Sequence, residues 1–445
     1  MFSYRRETAF LLVGDIIVFF ISLYLALFVR NLESPTFGYF LEHVTAFFGI
    51  FFISLLIFFI SGLYEKQTRL VKSILGIRIL GAQIANTTIA AVLFFILPFA
   101  IAPKTVLFLY LVISVLLISL WRFFATPYIF LSETRTALLI AEGKEAEELY
   151  TVVEGNPKYF VQFAEQIHPN SLTEGMLATL VGNAVAQGVS LIVIDSRDPV
   201  VHRELPTLYP YMLSGVTFEE FATFYESLFD RVPVQAIDHA WLLEHLPRKN
   251  IAYAFGKRSL DLIGASIGGI LALPIVAIAW LLITLTSSGN AFIFHARVGK
   301  GGKTFHIIKL RTMKIDDHGD EVLRAQNYVT RLGKFLRKTR IDELPQLINI
   351  LQGTLSFIGP RPELPRIAEV YEKEIPYYNV RHLIVPGLSG WAQIYDYDAP
   401  RGAADVERTK RKLSFDLYYI KHRSFGLDIA ISLKTLRALS ALSGV

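Results

Sequence analysis

Four long apolar runs, 10–29, 45–63, 83–99 and 106–124, open this 445-residue chain, and they constrain its fold more than any other feature. Each is close to the ~20 residues that cross ~30 Å of hydrocarbon. The run 83–99 is the shortest and is broken near its end by Pro98. The first run has no small-residue cleavage site and is soon followed by another, so it reads as a span and not as a cleaved leader. Cations assign the sides. Arg5 and Arg6 precede the first run, while Lys66, Arg69, Lys72 and Arg78 separate the second from the third. Arg135 and Lys144 follow the fourth, and the other two loops hold little beyond Arg30 and Lys104. The positive-inside rule then puts both ends of the four-span unit in the cytoplasm. Composition agrees. A chain 53% hydrophobic is too apolar for a cytosolic enzyme, while 19% charged residues are too many for spans alone. The net charge of +5 suits anionic lipid or phosphate-bearing substrates. With no cysteine, disulfides, a thiolate nucleophile and Cys-ligated metal are all excluded.

From Thr136 the texture changes. T-A-L-L-I-A, 159–167 and S-L-I-V-I-D read as strands separated by helical patterns, the first of these over 143–153. Such alternation predicts a small Rossmann-like α/β domain over 131–250, after a four-span domain over 1–130. The first strand-to-helix turn, A-E-G-K-E-A, holds Gly143 alone, where a dinucleotide fingerprint wants three glycines. A regulatory, scaffolding or dimerising role stands beside nucleotide binding for this domain.

A fifth apolar run, 259–285, is long enough to span, but Lys257 and Arg258 precede it and Arg297, Lys300 and Lys303 follow it. Both flanks look cytoplasmic. Pro274 sits in its middle, where it removes a helical hydrogen bond and clashes with the preceding turn. The expectation is a re-entrant helix-break-helix that opens a mostly α monotopic domain over 251–445. An ordinary kinked span is the alternative.

The chemistry concentrates after that run. H-A-R-V-G-K-G-G-K-T-F-H-I-I-K-L-R-T-M interleaves Gly299, Gly301 and Gly302 with cations, and Arg297, Lys309 and Arg311 are candidate anion-binding residues. Then R-I-D-E-L-P-Q-L-I-N-I-L-Q-G-T-L-S-F-I-G-P-R-P puts Asp342 and Glu343 between Arg340 and Arg361. Leu344, Leu347, Ile348 and Leu351 have helical spacing, so a helix is expected to begin near Asp342 with that aspartate as its N-cap. The bland reading stops at the cap. The sharper one adds that a helix start favours anions, and that Pro360 and Pro362 fix the Arg361 guanidinium for bidentate phosphate binding. Two carboxylates amid arginines suit phosphoryl transfer, one as nucleophile and one as metal ligand.

These segments resemble the bacterial sugar transferase family, the monotopic phosphoglycosyl transferases. The resemblance runs from K-R-S-L-D-L at Lys257 through the motifs above to P-G-L-S-G-W-A-Q-I and F-D-L-Y-Y-I. The four spans and the α/β insert are similar to its large-architecture branch. The resemblance implies transfer of a hexose 1-phosphate from a UDP-sugar to undecaprenyl phosphate, with release of UMP, as a first membrane step of polysaccharide synthesis. It implies Asp342 as the nucleophile forming a phosphosugar-aspartyl intermediate, Glu343 as the Mg2+-associated carboxylate, and Arg361 as a phosphate holder. It places the helix break at Pro274, although the Ser that often precedes this proline is here Leu273. The implied partners are the two substrates, membrane lipids and a second copy of the chain, with no nucleic acid. The implied place is the bacterial inner membrane, with catalysis on the cytoplasmic side. A direct-displacement transferase with the Asp-Glu pair as metal ligands, and a non-catalytic assembly scaffold, are the rival readings.

Elsewhere, Asp316, Asp317 and Asp320 lack the full calcium-loop pattern, and His295, His306 and His318 lack metal-ligand spacing. Residues 376–391, with Arg381 and His382, suggest a lipid-docking surface. Residues 428–442 suggest a helix lying on the membrane.

Overall fold

The computed structural model describes residues 2–64, 72–96, 104–125, 134–154, 156, 159, 161–173, 175–246, 250–287, 289–314, 328–395 and 405–440. Lys66, Arg69, Pro98, Asp316, Asp317, His318 and Asp320 lie outside them. The chain divides into two compact units, Met1–Ala137 with Thr151–Ala164, and Leu138–Tyr150 with Glu165–Val445.

The first unit carries four helices, α1 (Phe2–Asn31), α2 (Phe37–Ile60), α3 (Lys72–Ile96) and α4 (Lys104–Leu120), the last continued by a π-helical turn at Trp121–Ala125. Ala9–Asn31, Phe37–Ile60 and Thr105–Phe124 are long and apolar enough to cross a membrane. The third expected span lies within α3, which starts eleven residues before the expected run, and its apolar stretch is the shorter Arg78–Phe94. Phe19, Phe47, Phe51 and Tyr110 form an aromatic core. A polar knot sits beside it. Asp15 is fully buried, accepts a hydrogen bond from the Tyr64 hydroxyl at 2.7 Å and is ion-paired with Arg122. Arg122 also donates to the Leu63 carbonyl at 3.0 Å. Charges removed from water persist where partners and hydrogen bonds converge in this way.

The α/β region then runs through β1 (Arg135–Ile140), α5 (Lys144–Glu154), β2 (Val161–Ile167), α6 (Met176–Ala186), β3 (Leu191–Ile194), α7 (Pro199–Leu213), β4 (Thr217–Glu220) and α8 (Phe221–Phe229). The sheet order is β2-β1-β3-β4, with β3 and β4 parallel. Gly143 has φ +98°, and a Cβ there would meet the Gln235 amide oxygen at 2.2 Å. The space over Gly143, which a fingerprint glycine leaves open for a pyrophosphate, is filled by the chain's own Gln235. Glu145 reinforces the closure by accepting from the backbone N–H groups of Val234 and Gln235.

The segment after α8 packs into the core of the C-terminal region. Val232, Ile237 and Trp241, the last on α9 (His239–His245), share that core with Tyr378, Trp391, Leu413 and Tyr419. Arg231 pairs with Glu148 and lies over the Phe415 ring. Glu226 holds Lys421 at 2.8 Å and His422 at 3.3 Å.

Helix α10 (Ile251–Thr286) runs 36 residues, continuous through Pro274 where the sequence led us to expect a break. At 1.5 Å per residue it measures about 54 Å. Both halves pack on the same unit. Near the start, Arg258 donates to the carbonyls of Ile350 and Leu351, and Asp261 accepts from the Phe357 N–H. Near the end, Ala279 and Ile283 pack with Leu310 and Leu336. Between these contacts Ile270, Leu271 and Leu273 are exposed.

Because Trp241 is 5% exposed within the shared core, Trp241→Ala should cost about 3–5 kcal/mol. The expected readout is a lowered thermal midpoint of the purified chain. An unchanged midpoint would mean that the segment is peripheral.

Candidate active site

Strands β5 (Phe292–Val298) and β6 (Thr304–Leu310) form an antiparallel hairpin, with Ile293 opposite Lys309 and Arg297 opposite Phe305. Gly301 and Gly302 turn it with φ of +69° and +73°, values that glycine adopts without a steric cost. Lys300 and Lys303 in that turn are exposed. The hairpin therefore supplies Arg297 and Lys309, and its glycines serve the turn.

Helix α11 (Arg331–Thr339) ends at Arg340, whose φ of +56° reverses the chain into a single 3-10 turn, Ile341–Glu343. Helix α12 (Gln346–Gln352) begins only after Pro345. The expected cap is thus corrected: Asp342 lies in the 3-10 turn, before the helix, and makes no capping hydrogen bond. The apolar spacing does not coincide with the buried face of this helix. Ile348 and Leu351 are 47% and 39% exposed, while Gln346 and Asn349 are buried. Asn349 explains the reversal. Its amide accepts from Ile308 N–H at 3.1 Å and donates to the His306 carbonyl at 2.8 Å, tying α12 to β6. The polar face must turn inward to meet unpaired strand backbone.

That tie brings Lys309 to Glu343, at 2.7 Å, with Arg340 on the other carboxylate oxygen at 3.5 Å. Burial alone pushes the Glu343 carboxyl up, but Lys309 and then Arg361 outweigh it and bring it down to about 2. Asp342 goes the other way. Burial, and then the Glu343 charge, push it up to about 6 against Lys309 and Arg337. Two adjacent carboxyls are held in different protonation regimes by their surroundings.

Beyond α12, β7 (Ser356–Ile358) pairs in parallel with a later strand at Gly387–Ser389. Gly359 N–H donates to the Ser389 carbonyl and Gly387 N–H to the Pro360 carbonyl. The approach is so close that a Cβ on Gly387 would meet Gly359 N at 2.0 Å. Pro360 and Pro362 are buried and Arg361 is exposed. The carbonyl of Arg361 accepts from Arg381 at 2.9 Å, and Arg381 is ion-paired with Asp416 at 2.8 Å. Arg381 and His382 are 6% and 8% exposed, which overturns the expectation that they line a lipid-docking surface. They are interior supports.

One cavity collects this chemistry. It is lined by Arg297, Lys309, Glu343, Gln346, Arg361 and Pro362, with Ile307, Gly387 and Leu388. Asp342 abuts it in sequence without lining it. Arg340 does not line it but pairs with Glu343, which does. Arg311 is elsewhere: it is buried and donates to the Ser287 carbonyl and hydroxyl at the end of α10. Three cations around one carboxylate make a site for an anionic ligand. Gln346, Asn349 and Asp416 escaped the sequence analysis, which gave Arg381 a different role. The first two stand three residues apart on one helical face, a polar stripe that could have been noticed.

The Bacterial sugar transferase family matches residues 252–441. Among curated proteins, UDP-N-acetylgalactosamine-undecaprenyl-phosphate N-acetylgalactosaminephosphotransferase of Aeromonas hydrophila is 41% identical over 218 residues, 48% of this chain and 50% of that protein. UDP-glucose:undecaprenyl-phosphate glucose-1-phosphate transferase of Caulobacter vibrioides is 38% identical over 196 residues, 43% of this chain and 73% of that protein. The protein with the same description from Escherichia coli is 38% identical over 184 residues, 40% of this chain and 39% of that protein. The chain thus covers about half the length of the Aeromonas relative.

The raised Asp342 carboxyl has a stability consequence. Its neutral form is favoured in the fold, a contribution fully present below its ordinary value near 3.8 and lost as pH rises through about 6. Asp342→Asn carries no charge at any pH. It should be more stable than the native chain at about pH 8, by on the order of 1–3 kcal/mol, with the gap shrinking towards about pH 4. Thermal unfolding in detergent across that range reads the sign.

Proposed function

The chain belongs to the bacterial sugar transferase family, and from that premise we propose that it moves a sugar 1-phosphate from a UDP-sugar to undecaprenyl phosphate. The observation that carries the reading is the cavity itself: Arg297, Lys309 and Arg361 around the ionised Glu343, with the buried Asp342 next to it in the chain.

In the proposed scheme an Asp342 carboxylate oxygen attacks the sugar-bearing phosphorus. The bond from that phosphorus to the bridging oxygen breaks, and UMP leaves with the electron pair. A lipid phosphate oxygen then attacks the same phosphorus, the aspartyl bond breaks, and the carboxylate is regenerated. Arg297, Lys309 and Arg361 hold phosphoryl oxygens and stabilise the charge they carry in the transition state. Lys309 and Arg340 keep Glu343 oriented and ionised.

Magnesium is part of the proposal. Among the described residues no three His, Asp or Glu side chains converge. The donor set is the Asp342–Glu343 pair, which suits an ion that takes one or two carboxylates and completes its shell with substrate phosphate and water. Glu343 would hold it. When bound, the ion screens charge on the phosphoryl oxygens.

The same reading keeps both ends of α10 on the cytoplasmic side and sets its exposed middle into the near leaflet. Its two halves pack on one unit, and cations flank both ends. A soluble nucleotide sugar and a buried lipid tail can both reach a site held there. Direct displacement is the second reading, favoured by the fact that Glu343 lines the cavity while Asp342 does not.

Two outcomes test the scheme. With radiolabelled UDP-sugar and no lipid, the native chain should retain label on protein and Asp342→Asn should not. Turnover of the variant should fall by about a thousandfold or more. An unlabelled native chain, with full turnover in Asp342→Asn, would sink the covalent route. The first half-reaction should also rise about tenfold per pH unit up to about 6 and then level, because the carboxylate is the attacking form. UMP release, measured across pH, reads it.

A further inference from the structure

Gln346 is the first residue of α12, one helical turn beyond Glu343. It is 4% exposed and lines the cavity with Lys309, Glu343 and Arg361. Among the described residues its side-chain amide bonds to no protein group, and it faces the cavity. Its neighbour on the same face, Asn349, is buried to a similar degree and spends its amide on the backbone of β6. A buried amide is ordinarily satisfied, because leaving it unpaired forfeits the hydrogen bonds it made to water. The Gln346 amide is not sealed from solvent but opens onto the cavity, so it is free to pair with whatever enters there.

The walls say what enters. Arg297, Lys309 and Arg361 outnumber the single carboxylate of Glu343, so the ligand is an anion with several oxygens. The amide NH2 offers two donors and no charge. It can fix the direction of a phosphoryl oxygen that the cations attract but do not orient, as arginine and lysine already supply the net charge. We propose that Gln346 is a substrate-contacting catalytic residue whose amide donates to a phosphoryl oxygen of the nucleotide sugar's diphosphate. The inference rests on the transferase reading above and adds a residue to it. The acceptor lipid also brings a phosphate, so the chemistry is shared. The donor is favoured because Gln346 shares the cavity wall with all three cations, and a diphosphate has the charge to engage them together.

The test uses the full chain in detergent and two variants. Gln346→Leu keeps the bulk and removes the donors. Gln346→Glu keeps the shape but replaces the donors with acceptors beside Glu343. UMP release from UDP-glucose and UDP-N-acetylgalactosamine without lipid reads the first half-reaction. Turnover against undecaprenyl phosphate concentration reads the second. For Gln346→Leu we expect a ten- to hundredfold loss in the first half-reaction, a larger loss for Gln346→Glu, and a thermal midpoint for Gln346→Leu equal to or above native. The midpoint separates a ligand contact from a structural one, since removing an amide that bonds to no protein group does not weaken the fold. A native rate in Gln346→Leu, or a loss that tracks a lowered midpoint, overturns the inference. A loss confined to the lipid arm overturns the donor assignment. If the native chain itself releases no UMP from any nucleotide sugar, it is the transferase reading that has failed.

Discussion

The amide of Asn349 sets the geometry on which the site depends. Its two hydrogen bonds to the backbone at His306 and Ile308 lay α12 against β6 in one register. That register brings Lys309 within 2.7 Å of Glu343 and leaves Gln346 facing the cavity. A side chain of another size or an apolar one would leave strand backbone groups unpaired in the interior, which is costly. The helix is only seven residues long, so its orientation comes from this tertiary tie and not from its own propensity.

A second support reaches the site from behind. Arg381 grips the carbonyl of Arg361 and is balanced by Asp416. Asp416 lies on the same helix, Val406–His422, as Phe415, over whose ring Arg231 sits. Arg231 is in turn paired with Glu148 of α5. Helix α5 and the Pro360–Pro362 turn thus share one supporting helix. With Gln235 filling the space over Gly143, the domain's fingerprint position serves that attachment.

Much of this was legible in the sequence, for identifiable reasons. Membrane helices announce themselves because a span needs about 20 predominantly apolar residues, and three of the four expected N-terminal runs meet that standard in length and hydropathy. The Asp-Glu pair and the Pro-Arg-Pro turn are local motifs close in the chain, and one cavity collects Glu343 and Arg361. What the sequence did not reveal was which faces are buried. Leu344, Leu347, Ile348 and Leu351 have the period of a core stripe, yet Ile348 and Leu351 point outward. Near a membrane, apolar periodicity no longer says which side is inside. Arg311 was misplaced for a related reason: alternation put it on the Lys309 face, but β6 ends at Leu310 and the arginine turns to Ser287. Arg381 looked like surface because a buried guanidinium is rare, and only its distant partner Asp416 makes it tolerable.

The two faces of α12 carry a consequence of their own. Ile348 points outward two residues from Gln346, which points into the cavity. A rigid turn of helix this short works as a lever with almost no slack. Whatever tilts or lifts its greasy side shifts its polar side by a comparable amount. Under the proposed transferase reading, with that greasy side seated in lipid, immersion depth and chemical alignment would be one variable.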